Sequence, residues 1–254
     1  MNRPLAILAG VLFLLTALSF TDKMSSIIEG IPFALDYLTG MFPPDLCILP
    51  SLIGPIYETF QMAILSIGIS SLIVTPFSFL AAKDTTPNLA VYLVARGFIN
   101  LARGIPALLW AILFVSMVGL GPLAGVFAMT MHCIGALGKH FSEAIESTVA
   151  GLKEELEAMS LDGANSRQAI WYGIVPSVRA LFTSYSIYYL EWSIRVGTIL
   201  GMVGAGGLGL KLTMSVRLFK RQETLTIILV ILAMVTAVDI LSYLVRKELV
   251  EATT

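Results

Sequence analysis

The sequence predicts an all-α membrane protein with about six transmembrane helices, and three observations support this fold class. Of the 254 residues, 57% are hydrophobic and only 13% are charged, about half the charged fraction of a typical soluble domain. The mean hydropathy is +0.86. Several apolar stretches reach the roughly 20 residues that a helix needs to cross a bilayer. We expect membrane lipid and no nucleic acid among the partners, because a net charge of −1 offers no basic face.

Six candidate spans follow one another along the chain. They comprise residues 4–20, 55–82, 88–118, 122–143, 177–200 and 223–245. We expect the first to be a retained helix rather than a signal peptide, because no convincing cleavage site follows it. The third contains Pro106, which should kink it, since proline removes a backbone donor and clashes with the preceding turn.

The positions of lysine and arginine predict the orientation of these spans. Basic residues concentrate in cytoplasmic loops, and if six helices alternate, one side receives Arg3, Lys83, Lys139, Lys153, Arg167, Arg246 and Lys247. Both termini are then cytoplasmic. An outer basic cluster remains, which consists of Lys211, Arg217, Lys220 and Arg221. We interpret it as a docking surface for an acidic partner or, alternatively, as a means of concentrating anions at the entrance.

Two long segments lie between the spans. Residues 21–54 are expected to form an outward loop, since they contain several prolines. In the inward segment, residues 142–176, apolar residues recur at spacings of three and four among acidic ones, which predicts an amphipathic helix outside the bilayer. We treat residues 1–254 as one transmembrane domain. Residues 1–54 supply the first helix and periplasmic loop, and residues 55–254 supply the core.

The inward segment carries a motif with a mechanical role. It reads Glu157-Ala158-Met159-Ser160-Leu161-Asp162-Gly163 and continues, nine residues later, as Gly173-Ile174-Val175-Pro176. A short helix bounded by a glycine can press its backbone into a partner's cleft, since glycine has no side chain to hold it off. A proline starts the next helix cleanly. The sequence contains no phosphate-binding G-x4-G-K-[ST] loop, so any ATPase must be a separate subunit.

This motif resembles the E-A-A-x3-G-x9-I-x-L-P signature of binding-protein-dependent ABC importer permeases, although Met159, Gly173 and Val175 depart from it. The resemblance implies the type I importer permease fold, without catalytic activity of its own. It assigns ATPase coupling to Glu157, Ala158, Asp162, Gly163 and Pro176. It further implies an ATPase dimer that holds ATP-Mg, a periplasmic substrate-binding protein, a homodimer of this chain, and the bacterial inner membrane. No cofactor is expected on this chain.

Further motifs resemble the branch of these permeases that serves phosphonate, phosphite and hypophosphite. They are Phe42-Pro43-Pro44-Asp45, Glu58-Thr59-Phe60-Gln61-Met62-Ala63, Arg103-Gly104-Ile105-Pro106-Ala107-Leu108-Leu109-Trp110-Ala111, the pair Glu191 and Arg195, and the glycine run Gly201–Gly209. Together they cover most of the chain between residues 42 and 209. The resemblance implies a phosphorus oxyanion as the transported substrate and leaves open which one.

Charged residues inside the spans are costly and usually face a protein interior or a water-filled path. Glu191 and Arg195 lie four residues apart on one helix face. In one interpretation they form a self-neutralising ion pair that stabilises the helix. In the other, Arg195 lines the translocation path and binds an oxyanion, since guanidinium suits phosphate-like groups. Arg103, beside the Pro106 kink, is a further candidate for the path.

The glycine run is expected to form a tight turn that closes the outer gate, with Gly204, Gly206, Gly207 and Gly209 as its gate residues. A backbone nest that binds an anion is the alternative interpretation. We expect no metal site. His132 has only Cys133 as a potential co-ligand nearby, and a buried, hydrogen-bonded histidine explains it better.

Other functions remain as alternatives. An importer permease for amino acids or metal chelates would share the coupling motif. A channel or secondary transporter would need a filter or paired broken helices, which the interrupted third span matches only in part. A membrane enzyme would need a nucleophile with a base or a pair of carboxylates. The two histidines, His132 and His140, provide no such set.

Overall fold

A computed structural model describes residues 10–16, 29–161, 163, 165 and 168–251, and this part of the chain is helical, without a strand. The α-helices that organise it are α1 (residues 29–39), α2 (Leu49–Ala81), α3 (Leu89–Gly104), α4 (Ala107–Val118), α5 (Pro122–Gly151), α6 (Lys153–Leu161), α7 (Val175–Leu200), α8 (Gly207–Arg217) and α9 (Arg221–Glu251). Short 3-10 helices cover Leu46–Ile48 and Gly201–Val203, and a π-helix covers Ala169–Ile174. This confirms the predicted all-α class.

Helix α5 is the centre of the bundle. It contacts α2, α3, α4 and α7, and its glycines allow the close approach of α3. A Cβ on Gly135 would lie 2.3 Å from the backbone nitrogen of Arg103, and one on Gly138 would lie 2.9 Å from Ile99. Small residues bring helices together in this way inside membranes, where packing rather than hydrophobicity drives association. The contact fixes the end of α3, and therefore Arg103, against the middle of α5.

Length and composition identify fewer membrane spans in the described residues than the six predicted. Two helical stretches qualify alone, Leu46–Ala81 and Arg221–Lys247. Two bent pairs qualify jointly: α3 with α4, and Ala169–Val203 with α8. The count is thus two to four. The first predicted span, 4–20, lies largely outside the described residues, and only 10–16 is seen as helix.

The fourth predicted span, residues 122–143, is helical and lies within α5. By its composition, however, α5 does not qualify as a candidate membrane span. Sixteen of the 30 residues of α5 are buried in the bundle, and many of those are glycine, alanine, serine or threonine. A helix surrounded by other helices needs small side chains for close packing more than it needs apolar side chains for lipid. Composition therefore underrates this central helix.

The predicted third span is two helices rather than one kinked helix. Helices α3 and α4 meet at 88°, and Ile105 between them is extended, with φ −91° and ψ 120°. The residue before a proline is pushed out of the helical region by the proline ring. Pro106 then serves as the N-cap of α4. The prediction located the break at Pro106 correctly, and the structure shows two helices there instead of one kinked helix.

The two segments between spans also differ from their predictions. The expected outward loop, residues 21–54, contains α1, the 3-10 turn and the first six residues of α2. Pro50 lies in the first turn of α2, where its missing N–H costs nothing. In the inward segment, α5 runs on to Gly151 and α6 is a separate helix. The apolar repeat predicted for one helix is thus shared between two.

Candidate functional site

The predicted coupling residues surround the free end of α6. Glu157 and Ala158 lie on the helix, and Gly163 follows it with φ +88°. Few residues other than glycine adopt this conformation, so Gly163 turns the chain sharply after the helix. Nothing lies within 4 Å of the position that a Cβ would take, which leaves the turn open on its outer face. Asp162 lies outside the described residues.

The return from this turn reaches the membrane helices through a π-helix. Residues Ala169–Ile174 form it, and Pro176 occupies the first turn of α7, as expected for a helix start. Leu156 of α6 packs against the cluster that holds Ile174 and Val178, and a Cβ on Gly173 would lie 2.9 Å from Leu156. Helix α6 therefore packs directly on the base of α7.

The glycine run forms a tight turn between α7 and α8. Gly204, Gly206 and Gly207 have φ values of +94°, +82° and +67°, the left-handed region that favours glycine. Gly209 is required for space instead, since its Cβ would lie 1.9 Å from the carbonyl oxygen of Thr198. The turn also meets the bend between α4 and α5, where Gly121 N–H donates to the carbonyl of Gly204 at 2.9 Å.

Two side chains of α2 hold the start of α8, and the sequence analysis gave them no role. Glu58 accepts a hydrogen bond from Gly207 N–H at 3.1 Å, and Thr59 Oγ1 accepts one from Leu208 N–H at 3.0 Å. Such capping satisfies backbone donors that a helix N-terminus leaves free, and a carboxylate there is favoured by the helix dipole. Because these donors are occupied, they are not available to the anion-binding nest considered as an alternative.

Four charged side chains form an ion cluster between α7 and α9. Arg195 Nη2 donates to Glu191 Oε1 and to Asp239 Oδ1, both at 2.9 Å, and Arg246 Nη2 donates to Glu191 Oε2 at 3.2 Å. Two cations thus face two anions. Only the Glu191–Arg195 half was predicted. Asp239 and Arg246 are seven residues apart, and this helical spacing places both on one face of α9. The sequence therefore contained a signal from which the second pair could have been predicted.

Arg103 differs from the clustered arginines because it has no ion pair among the described residues. It is exposed at the end of α3. Its backbone packs against Gly135 of α5. The expectation that Arg103 reaches toward the path stays a prediction. It does not contact Glu191 or Arg195.

His132 is half-buried and forms a hydrogen bond with the backbone of Ile105, as expected from the sequence. Its ring stacks on Trp192 with centroids 4.7 Å apart, and its Nδ1 atom is buried without a hydrogen-bond partner in the described structure. The stacking explains why an aromatic side chain lies there. Within the described residues, no group of three or more His, Cys, Asp or Glu side chains is placed to hold a metal ion.

The outer basic cluster divides into paired and unpaired residues. Lys220 bridges Glu223 at 2.7 Å, and Arg221 bridges Asp36 of α1 at 3.0 Å. Lys211 and Arg217 have no ion pair with any described residue, and Arg217 is exposed. The charge available to a partner or an anion is therefore concentrated on α8.

The helical fold, the coupling helix α6 and the glycine turn define a membrane permease of the ABC importer class. The chain belongs to the family described as binding-protein-dependent transport system inner membrane component, which matches residues 74–251. It is 38% identical to the phosphite transport system permease protein PtxC of Stutzerimonas stutzeri, over 88% of this chain and 80% of PtxC. HtxC of the same organism, also named for phosphite transport, is 38% identical over 84% of this chain and 74% of HtxC.

A solved structure supports the same fold at low sequence identity. It is an inward-facing form of the MetNI methionine ABC transporter, with a TM-score of 0.68 and 19% identity, and the match covers 81% of this chain and 99% of that one. Identity at this level shows the arrangement of helices alone. The type I importer permease fold predicted from the coupling motif is thereby confirmed.

Proposed function

We propose that this chain is the membrane-spanning permease subunit of an ATP-driven importer for a phosphorus oxyanion such as phosphite, a phosphonate or phosphate. The observation that carries the proposal is the family membership together with relatives named for phosphite transport. The coupling motif supports it independently, since α6 and Gly163 present an open turn at the base of α7.

The partners follow from the same proposal. A separate ATPase dimer holds ATP-Mg and pushes on Glu157, Ala158, Asp162 and Gly163, while Pro176 anchors the start of α7. A periplasmic binding protein delivers the substrate, and two copies of this chain enclose the path. The chain carries out no reaction and binds no cofactor of its own. Residues 1–254 act as one domain in the bacterial inner membrane, with both termini cytoplasmic.

The outer gate and the translocation path involve different residues. Gly204, Gly206, Gly207 and Gly209 close the outer end, because their turn leaves no space for side chains. Along the path, Arg195 is held by Glu191 and Asp239, which favours a role for this pair in joining α7 to α9. Arg103, which has no ion pair among the described residues, is the better placed of the two arginines to attract an anion.

ATP-driven uptake in proteoliposomes tests the proposal. The chain is reconstituted with its ATPase and binding protein, and phosphite, methylphosphonate and phosphate are supplied in turn. We expect uptake of at least one oxyanion and its loss in Gly163→Trp, with the complex still assembled, because tryptophan both strains the turn and covers its face. Gly151→Trp, at an exposed glycine with nothing within 4 Å of its Cβ position, is the matched control.

Two results would contradict the proposal. Absence of ATP-dependent uptake for all three oxyanions, with amino acids or metal chelates transported instead, would overturn the substrate class. Normal uptake by Gly163→Trp would overturn the coupling role of the loop while leaving the substrate in place.

A further inference from the structure

A polar pocket of about 340 Å³ opens between α5, α7 and α9, apart from the coupling loop and the outer gate. Its lining comprises His140, Ser184, Tyr185, Tyr188, Tyr189 and Arg246. Tyr188 lies half-way along α7, about 20 Å from the helix start at 1.5 Å per residue. Arg246 lies near the end of the candidate span Arg221–Lys247, so the pocket extends from the middle of α7 toward one face of the membrane. A basic and hydroxyl-rich surface inside a span is costly unless something polar occupies it.

Several donors in the pocket have no acceptor. The hydroxyls of Ser184, Tyr185 and Tyr188 make no hydrogen bond to any described residue. Thr183 and Ser186, the neighbours on the same helix, donate to carbonyls four residues back at 2.9 and 2.8 Å, which is how such side chains are usually satisfied inside a helix. Lipid offers no acceptors, so the free hydroxyls need a ligand, water or another chain.

Arg246 supplies positive charge to the pocket, and one of its guanidinium nitrogens, unpaired among the described residues, is free to bind a ligand. Arg246 donates through Nε to Ser242 and through Nη2 to Glu191, and its Nη1 group has no partner in the described part of the chain. His140 Nε2 and the Tyr189 hydroxyl are hydrogen-bonded to each other at 3.2 Å. Nearby carboxylates are already engaged, Glu191 by two arginines and Glu143 by Lys139 at 3.5 Å.

We propose that this pocket is a binding site for the transported oxyanion within the membrane. The inference rests on the proposed function and adds the site to it. A tetrahedral phosphorus oxyanion offers three oxygens as acceptors. Arg246 Nη1 contributes a charge-assisted hydrogen bond, and Tyr188 and Ser184 contribute neutral ones. Tyr188 and Ser184 lie on α7, whose base contacts α6, so a displacement of α6 would reach the site through α7.

The double variant Tyr188→Phe with Ser184→Ala tests this site without disturbing the ion cluster. It removes two hydroxyls, creates no charge and keeps the ring that packs on Tyr189. In proteoliposomes that contain the complete complex, with phosphite and methylphosphonate as probes, we expect at least about a 10-fold loss of uptake, since hydrogen bonds to a charged group are strong. ATPase stimulation by the loaded binding protein should stay at the wild-type level.

Arg246→Gln should lose uptake at least as strongly, and Lys247→Gln, one residue along and exposed, should not. Wild-type uptake in the double variant would overturn the site while leaving the proposed function intact. A parallel loss of uptake and of stimulated ATPase would also overturn it, because that result indicates a structural role. Absence of uptake by the wild-type complex would instead refute the proposed function.

Discussion

Gly209→Ala adds a single methyl group at a point where backbone already fills the space. The new Cβ would lie 1.9 Å from the Thr198 carbonyl oxygen and 3.0 Å from Gly201 Cα, whereas ordinary contact begins at 3.4 Å. The difference, about 1.5 Å, must come from movement of α8 away from the end of α7, since a carbonyl cannot rotate aside as a side chain can. Overpacking typically costs about 1–3 kcal/mol, and we expect a cost of about 3 kcal/mol here.

Thermal unfolding of the purified chain in detergent measures this cost. For a chain of this length, 1 kcal/mol corresponds to roughly 2–4 °C in Tm, so Gly209→Ala should melt about 6–12 °C below wild type. Gly68→Ala is the control, because Gly68 lies inside α2 with nothing within 4 Å of its Cβ position. It should melt at or slightly above wild type, since alanine is favoured over glycine in helices. Equal melting of Gly209→Ala and wild type would refute the proposed packing of the turn.

Three further predictions concern the cap, the ion cluster and the outer surface. Thr59→Val leaves the Leu208 N–H without its acceptor and should lower the unfolding free energy by about 1–2 kcal/mol, measured by the same melting experiment. Arg195→Lys should retain most uptake if the pair is structural; a complete loss in a fully assembled complex would favour an oxyanion contact instead. Arg217→Glu should weaken binding-protein association and reduce its dependence on salt, and an association that salt does not affect would exclude docking by charge.

The coupling loop shows how far local sequence carries the prediction. The spacing from Glu157 through Gly163 to Pro176 is a property of consecutive residues, and it identified the helix, its glycine turn and the start of α7. The boundary between α5 and α6 was not predicted. Both helices contribute to one apolar repeat, which concealed the glycine signal at the break: α5 ends at Gly151, and Leu152 is its C-cap.

The gate and the ion cluster show where such reasoning stops. Glu58 and Thr59 were noticed as parts of a motif, but their hydrogen bonds reach Gly207 and Leu208, 149 residues away. Asp239 joins Arg195 across 44 residues. Helical periodicity states which face a side chain occupies and does not state which helix that face meets, so both contacts required the folded chain.

The sequence by itself determined that this protein resides in the membrane, because apolar composition decides the solvent. It also predicted the segment on which an ATPase partner is proposed to act, because that segment is continuous in the sequence. Only the tertiary structure decided that Arg195 is neutralised by Glu191 and Asp239, whereas Arg103 has no ion pair among the described residues. Only the tertiary structure brought His140, Tyr188 and Arg246 to one pocket. The physical reason is that an electrostatic site depends on distances between helices, which are fixed by packing around α5.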